Sequence, residues 1–433
     1  MLKSALTLAI LSFAFTSLGS AQVPERLIYS FNGTNGRTAD SGLIADARGN
    51  VYGTTFNGGP NSLGSVYELS PISTGTWRET VLYNFSGNDG AFPVASLTFD
   101  RNGNLYGTTQ LGGLGTCSTS GGQDLGCGVV FKLTPSANGW QESTVYEFQP
   151  GVNKGVVPVG GVIFDTAGNL YGTTWAPGVE GDGIFDRAGA NPLSNTYWGC
   201  DEPGCGGTVY KLTPTQNGWQ ESDIYAFTGA ADGSSSMANL TMDSAGNLYG
   251  TTPFGGTGNC QYGCGTVFEV RSSNGGWTET VLHSFASTDG AYPMGALTPD
   301  AAGNFYSTTN IGGSHHQGTV FELAKSGQQW QESVLYNFTG GADGASPYAG
   351  VIFDSRGNIY GTATEGGTNS VGTIYSLVPN NGGWSQIVLH EFQLGNNDGQ
   401  LPYGAVMLWN NFLLGATQGG GTHNEGAVYE VFP

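Results

Sequence analysis

The sequence predicts an all-β protein, a seven-bladed β-propeller of four-stranded blades, and three observations predict it. One phrase recurs seven times along the 433 residues; each copy sits among four short β-type segments; and those segments are apolar at both alternate positions. Composition points the same way. Glycine fills 74 positions while charged residues make up 11%, whereas a helical bundle needs long glycine-free runs of good helix formers. Aromatic residues reach 12%, enough to form a core that a disordered chain lacks.

The recurring phrase is GNVYGTT at 49–55. It returns as GNLYGTT at 103–109, 168–174 and 246–252, as GNFYSTT at 303–309, as GNIYGTA at 357–363 and as a worn NNFLLGAT at 410–417. The marker asparagines, from Asn50 to Asn411, are spaced by 54, 65, 78, 57, 54 and 53 residues. In the second unit the four segments are ETVLYNF (79–85), ASLTFD (95–100), NLYGTT (104–109) and VVFKLTP (129–135), separated by turn residues. A sheet apolar on both sides must be covered on both. Small covered sheets repeated seven times fit blades around an axis, and an open solenoid would need polar capping repeats. Units are expected at about 25–71, 77–135, 140–214, 219–271, 277–324, 330–379 and 384–432. The last blade is expected to take three strands from 402–432 and its outer strand from 25–31, which removes exposed sheet edges.

Lys3, an apolar stretch over 5–15 and the small residues Gly19-Ser20-Ala21 predict an export signal over 1–21, cut after Ala21. Residues 22–433 would then form one exported, extracellular domain. No later run approaches the ~18 apolar residues of a membrane span. With 13 basic against 33 acidic residues the net charge is −20, which disfavours nucleic acid as a partner.

The phrase D-x-x-G-N-L-Y-G-T-T-x-x-G-G, followed by G-T-V-F-x-L-T-P and W-x-E, resembles the GloVer tandem-repeat family of secreted bacterial proteins, over essentially all of 22–433. The resemblance implies export and repetition. It brings no catalytic residues.

The two faces of the disc are expected to differ. One carries the D-x-x-G-N turns at Asp46, Asp100, Asp165, Asp243, Asp300 and Asp354, where the carboxylate serves the turn; one carboxylate per turn is too few for a calcium cage. The other carries all the length variation. Its three long units gain 11, 24 and 3 residues over the 54-residue spacing, and each holds a cysteine pair: Cys117 with Cys127, Cys200 with Cys205, and Cys260 with Cys264. In an exported protein these read as disulfides. Zinc would need ligands from two blades. The longest insertion, 175–207, brings Trp175, Asp182, Asp186 and Trp198, residue types that stack on a sugar and accept from its hydroxyls, or that pack the loop onto its own blade.

On that same face the turn before each inner strand often carries Asp-Gly: Asp89, Asp232, Asp289, Asp343 and Asp398, with Asn35 and Lys154 at the two odd positions. Converging on the axis they would form an acidic funnel able to attract a cation or a polar ligand; otherwise they are turn residues. Among the inner strands only Asp40 titrates near neutrality, so no cofactor or catalytic set is expected there. His315, His316 and His423 lie on the loop face, with Glu365 and Glu425 as potential partners, while His283 and His390 sit in outer strands as packing residues. The sequence therefore points to a secreted binding scaffold, its ligand an extracellular glycan or protein on the stapled face. The alternative is an extracellular hydrolase or lyase acting on polysaccharide or a cyclic peptide in the funnel.

Overall fold

The structure, a computed structural model, describes residues 25–73, 75–117, 124–151, 154–178, 206–273, 276–327, 329–395 and 397–433. The expected export signal lies outside them, as do Cys200, Cys205, Asp182, Asp186 and Trp198. No helix among the described residues is long and apolar enough to cross a membrane.

Seven four-stranded antiparallel sheets make up a seven-bladed β-propeller. The second blade is representative, with strands Thr98–Phe99, Leu105–Thr109, Val129–Ser136 and Gly139–Glu147 from the axis outward. The inner strand is only two residues long because the segment before it turns to line the axis. The outer hairpin is long and regular apart from one shift of register between Val130 and Phe131, an irregularity that recurs in the outer pair of every blade. Bulges of this kind raise the local twist, which suits blades that fan out from an axis. In the seventh blade the strands Met407–Trp409, Phe412–Thr417 and Ala427–Val431 are joined by Glu25–Ser30, which pairs with Ala427–Val431.

The apolar core lies between blades rather than within them. Leu105, Phe131 and Leu133 of the second blade meet Tyr52, Val66 and Leu82 of the first. Leu43, Val51 and Tyr67 of the first meet Leu414, Ala416 and Val428 of the seventh. Equivalent clusters fill the other five junctions.

Each letter of the repeated phrase has a mechanical task. Asp100 Oδ1 accepts the backbone N–H groups of Asn102 (2.8 Å) and Asn104 (2.9 Å), and Oδ2 accepts the Asn104 amide at 2.6 Å. Burial alone would raise the Asp100 carboxyl, but these hydrogen bonds outweigh it and hold the group below its ordinary value. The tyrosine two residues on donates to the same carboxylate, as Tyr171 does to Asp165 at 3.1 Å. The first threonine ties its blade to the next: Thr108 Oγ1 donates to the Gly160 carbonyl at 3.0 Å and Thr308 Oγ1 to that of Ala349 at 2.8 Å. The second threonine stays within the blade, as in Thr309 to Thr319 at 2.8 Å.

The glycine makes room for a ring. A β-carbon on Gly53 would lie 2.5 Å from Tyr67 Oη and 2.7 Å from Cζ, and Tyr67 is fully buried. Gly53→Ala is therefore expected to lower unfolding stability by about 1–3 kcal/mol through overpacking, read as a lower denaturation midpoint. An unchanged midpoint would show that the ring can move aside.

Candidate functional site

The loops that follow the second and fourth strands meet on one face. In every blade a residue with left-handed backbone precedes the inner segment: Thr38, Phe92, Val157, Ser235, Tyr292, Ser346 and Leu401, with φ between 51° and 61°. None is glycine, so each position costs roughly 1–2 kcal/mol. Backbone bonds to the neighbouring blade hold the strain in place. The Phe92 N–H donates to the Leu63 carbonyl at 2.9 Å, that of Tyr292 to Cys264 at 3.0 Å and that of Thr38 to Glu425 at 2.9 Å, and the other four follow suit. The loop face is thus a belt of backbone contacts from blade to blade.

Two residues further along each segment, seven side chains line one cavity of about 170 Å³: Asp40, Val94, Val159, Met237, Met294, Tyr348 and Tyr403. Alternate residues of an extended segment share a side, and the next set on that side is small: Gly42, Ser96, Asn239, Ala296, Gly350 and Ala405. The cavity therefore takes one residue from each blade and lies along the axis. Its rim is two-sided. Val94, Val159, Met237 and Met294 make one arc apolar, while Tyr348, Tyr403 and Asp40 make the other polar. Tyr348 and Tyr403 pack edge to face with ring centroids 4.7 Å apart.

Burial pushes the Asp40 carboxyl up to about 8, against a hydrogen bond from Gln418 that favours the charged form. Near neutral pH it is a carboxylic acid that both donates and accepts. Burial, then the charges of Glu365 and Asp40, push the Tyr348 hydroxyl up to about 12, so it remains a donor. Sequence reasoning singled out Asp40 for its charge but missed the two tyrosines, which stand out only when the seven inner segments are superposed.

The five Asp-Gly carboxylates do not line this cavity. Each turns back onto its own turn and onto an aromatic ring of the preceding strand. Asp89 accepts from Tyr83 Oη (2.5 Å) and the Ser86 N–H (2.8 Å); Asp232 from Tyr225 (2.9 Å) and Thr228 (2.8 Å); Asp343 from Tyr336 (2.9 Å) and Thr339 (2.8 Å). Asp289 meets His283 at 3.1 Å, and Asp398 meets His390 at 3.0 Å. At the odd positions Asn35 bonds Tyr29, and Lys154 pairs with Glu221. The physical reason is supply of donors: a phenol or imidazole plus a backbone N–H holds each carboxylate at its own turn.

Trp175 is 1% exposed and packs with Val156, Val157 and Cys117, so it offers no face to a ligand. Its place in the long insertion is structural. Two of the three expected disulfides are present on the loop face, Cys117–Cys127 and Cys260–Cys264. The third, expected between Cys200 and Cys205, lies where nothing is described. Cys205 immediately precedes the described stretch that resumes at residue 206, and Cys200 lies further back in the same insertion, so both fall outside the described residues. His315, His316 and His423 are exposed, and among the described residues the rings of His315 and His423 bond the neighbouring Ser314 and Thr422. Neither loop enters a cluster of three metal-ligating side chains; the two such clusters among the described residues contain His283 and His390.

A family model described as the Gloeobacter/Verrucomicrobia repeat matches residues 13–187, 118–331 and 258–433. No curated protein matches the chain. Among solved structures, a gluconolactonase from Xanthomonas campestris is similar over 79% of this chain and 87% of its own, at 13% identity and a TM-score of 0.39.

Burial, reinforced by the charges of Asp89 and Asp232, also pushes Glu142 and Glu279 up to about 7. Together with Asp40 these groups hold protons in the folded state that the unfolded chain has lost. Their stabilisation is complete below about pH 4 and disappears as pH rises through 7–8. The thermal midpoint is expected to fall between pH 5 and 9, and D40N/E142Q/E279Q to flatten that dependence. A midpoint rising over this range would contradict the assignment.

Proposed function

We propose, given that the chain belongs to the Gloeobacter/Verrucomicrobia repeat family, that it is an exported binding scaffold whose loop face engages an extracellular glycan. The two-sided rim of the axial cavity carries this reading. A sugar ring presents an apolar C–H face and a fringe of hydroxyls. Val94, Val159, Met237 and Met294 match the first, while Asp40, Tyr348 and Tyr403 match the second. A buried carboxylic acid is well suited to a hydroxyl because it donates one hydrogen bond and accepts another. About 170 Å³ admits the end of a chain rather than a long segment, so specificity would come from the surrounding stapled loops.

The rival reading, an extracellular hydrolase or lyase, is favoured by one observation: Asp40 is a buried acid lining the axial cavity, and the charge of Glu365 bears on the same two tyrosines, Tyr348 and Tyr403. Glycoside hydrolysis uses one carboxylic acid together with a second carboxylate.

One experiment separates the two. The protein without residues 1–21 is screened on a glycan array, and hits are followed by calorimetry and by release of reducing ends. Binding without turnover, weakened about tenfold or more by Tyr403→Ala or Tyr348→Ala, is the expected result. Turnover abolished by D40N would establish the rival. Binding indifferent to all three substitutions would remove the axial cavity from the function.

A further inference from the structure

At each junction between blades, the outer strand of one blade, the turn after it and the outer strand of the next bring three polar side chains together. Five junctions are organised by a tyrosine: Tyr29, Tyr83, Tyr146, Tyr225 and Tyr336. The phenol has one O–H to donate and an oxygen that can accept, so it can meet two neighbours at once. Tyr225 donates to Asp232 at 2.9 Å and also hydrogen-bonds Glu279.

Histidine stands in the tyrosine's place at the other two junctions. His283, on Gly276–Ser284, faces Asp289 and Glu332, the latter on Gln329–Asn337. His390, on Gly383–Glu391, faces Asp398 and Glu25, the latter on Glu25–Ser30. In each set one imidazole nitrogen and two carboxylate oxygens lie within 4.8 Å of one another. The nitrogen-to-aspartate distances are 3.1 and 3.0 Å. Ligands placed 2.0–2.1 Å from a tetrahedral zinc stand roughly 3.3 Å apart, so little movement separates the observed arrangement from a coordination shell. Glu25 Oε1 and Glu332 Oε1 are buried without a hydrogen-bond partner among the described residues, as are Glu79 Oε1 and Glu279 Oε1 at two of the tyrosine junctions; what sets the histidine junctions apart is an imidazole nitrogen facing both carboxylates.

We propose that these two junctions are sites for a first-row divalent cation of the zinc type, each held by one imidazole and two carboxylates drawn from adjacent blades. The mixed nitrogen and oxygen set selects this class over magnesium or calcium, which prefer oxygen alone. Each ion fastens one blade to the next. The one at Glu25 fastens the strand that Glu25–Ser30 adds to the last blade. Nothing in this site overlaps the axial cavity, so it stands independently of the glycan reading.

The test uses the chain from residue 22 onward, stripped of metal with a chelator and titrated with Zn²⁺ by calorimetry, with metal content and thermal midpoint measured in parallel. Two equivalents are expected to bind, with a rise in the midpoint that follows mass action. His283→Tyr and His390→Tyr restore the residue found at the other five junctions and should fold. Each should remove one equivalent, and the double variant both. Replacing His315, His316 and His423 by alanine should leave two equivalents. The proposal is overturned if the folded wild-type protein binds no zinc, or if the folded double variant binds as much as wild type. E332Q supplies a second check: it should weaken the His283 site tenfold or more, and an unchanged affinity would exclude that carboxylate as a ligand.

Discussion

Everything in this molecule follows from one constraint: no blade can shelter its own faces. A four-stranded sheet with apolar side chains on both sides is unstable alone, and the residues that would form its core instead reach across to a neighbour. Phe131 belongs to the second blade yet is buried against Leu82 and Phe85 from the first. The repeated phrase is best understood as junction hardware. Its aspartate and asparagine lock the turn, its glycine admits a ring, and its first threonine donates a hydrogen bond to the next blade's backbone. Because packing energy depends on apolar area removed from water, and that area is shared between blades, the loss of one blade would expose two others.

The same constraint explains the difference between the faces. The turn face repeats because nothing but a turn is required there. The loop face bears the strained backbone belt, and that belt is what frees the loops above it to vary in length without disturbing the junctions below. Val157 keeps a left-handed conformation that a β-branched side chain resists, next to the longest insertion in the chain. The rim of the axial cavity sits inside this belt, so its seven side chains are positioned by the most heavily tied backbone on that face.

Repetition made the fold legible in the sequence. Strand order and the loan of the first strand to the last blade follow from the likeness of each segment to its counterparts in the other units and to other propellers, and the pairing of Cys117 with Cys127 from their place within one loop. The site was much less legible, and the reasons are specific. Asp-Gly has the same appearance whether its carboxylate faces the axis or its own turn. The deciding partner is an aromatic residue six to eight positions earlier, as in Tyr83 before Asp89 and His390 before Asp398, a spacing that the sequence displays but that a search for turns passes over. His283 and His390 pack as expected of strand residues, each edge to face against the phenylalanine two positions on, but they also face carboxylates. Their glutamate partners are on other blades, about one repeat away or at the opposite end of the chain, and no local pattern joins them. Tyr348 and Tyr403 were hidden for a related reason: a ring made of one residue per blade has no signature within any single blade.

The loan of Glu25–Ser30 to Ala427–Val431 also governs the order in which the molecule can be finished. The earliest of the described segments to emerge during synthesis is matched with the latest, so it must travel unmatched while the other blades are added behind it. Contacts so distant along the chain are slow to form, and a lone strand edge invites union with a second molecule. Arg26 and Glu25 put charge on that edge, a feature that discourages premature partners until the seventh blade arrives.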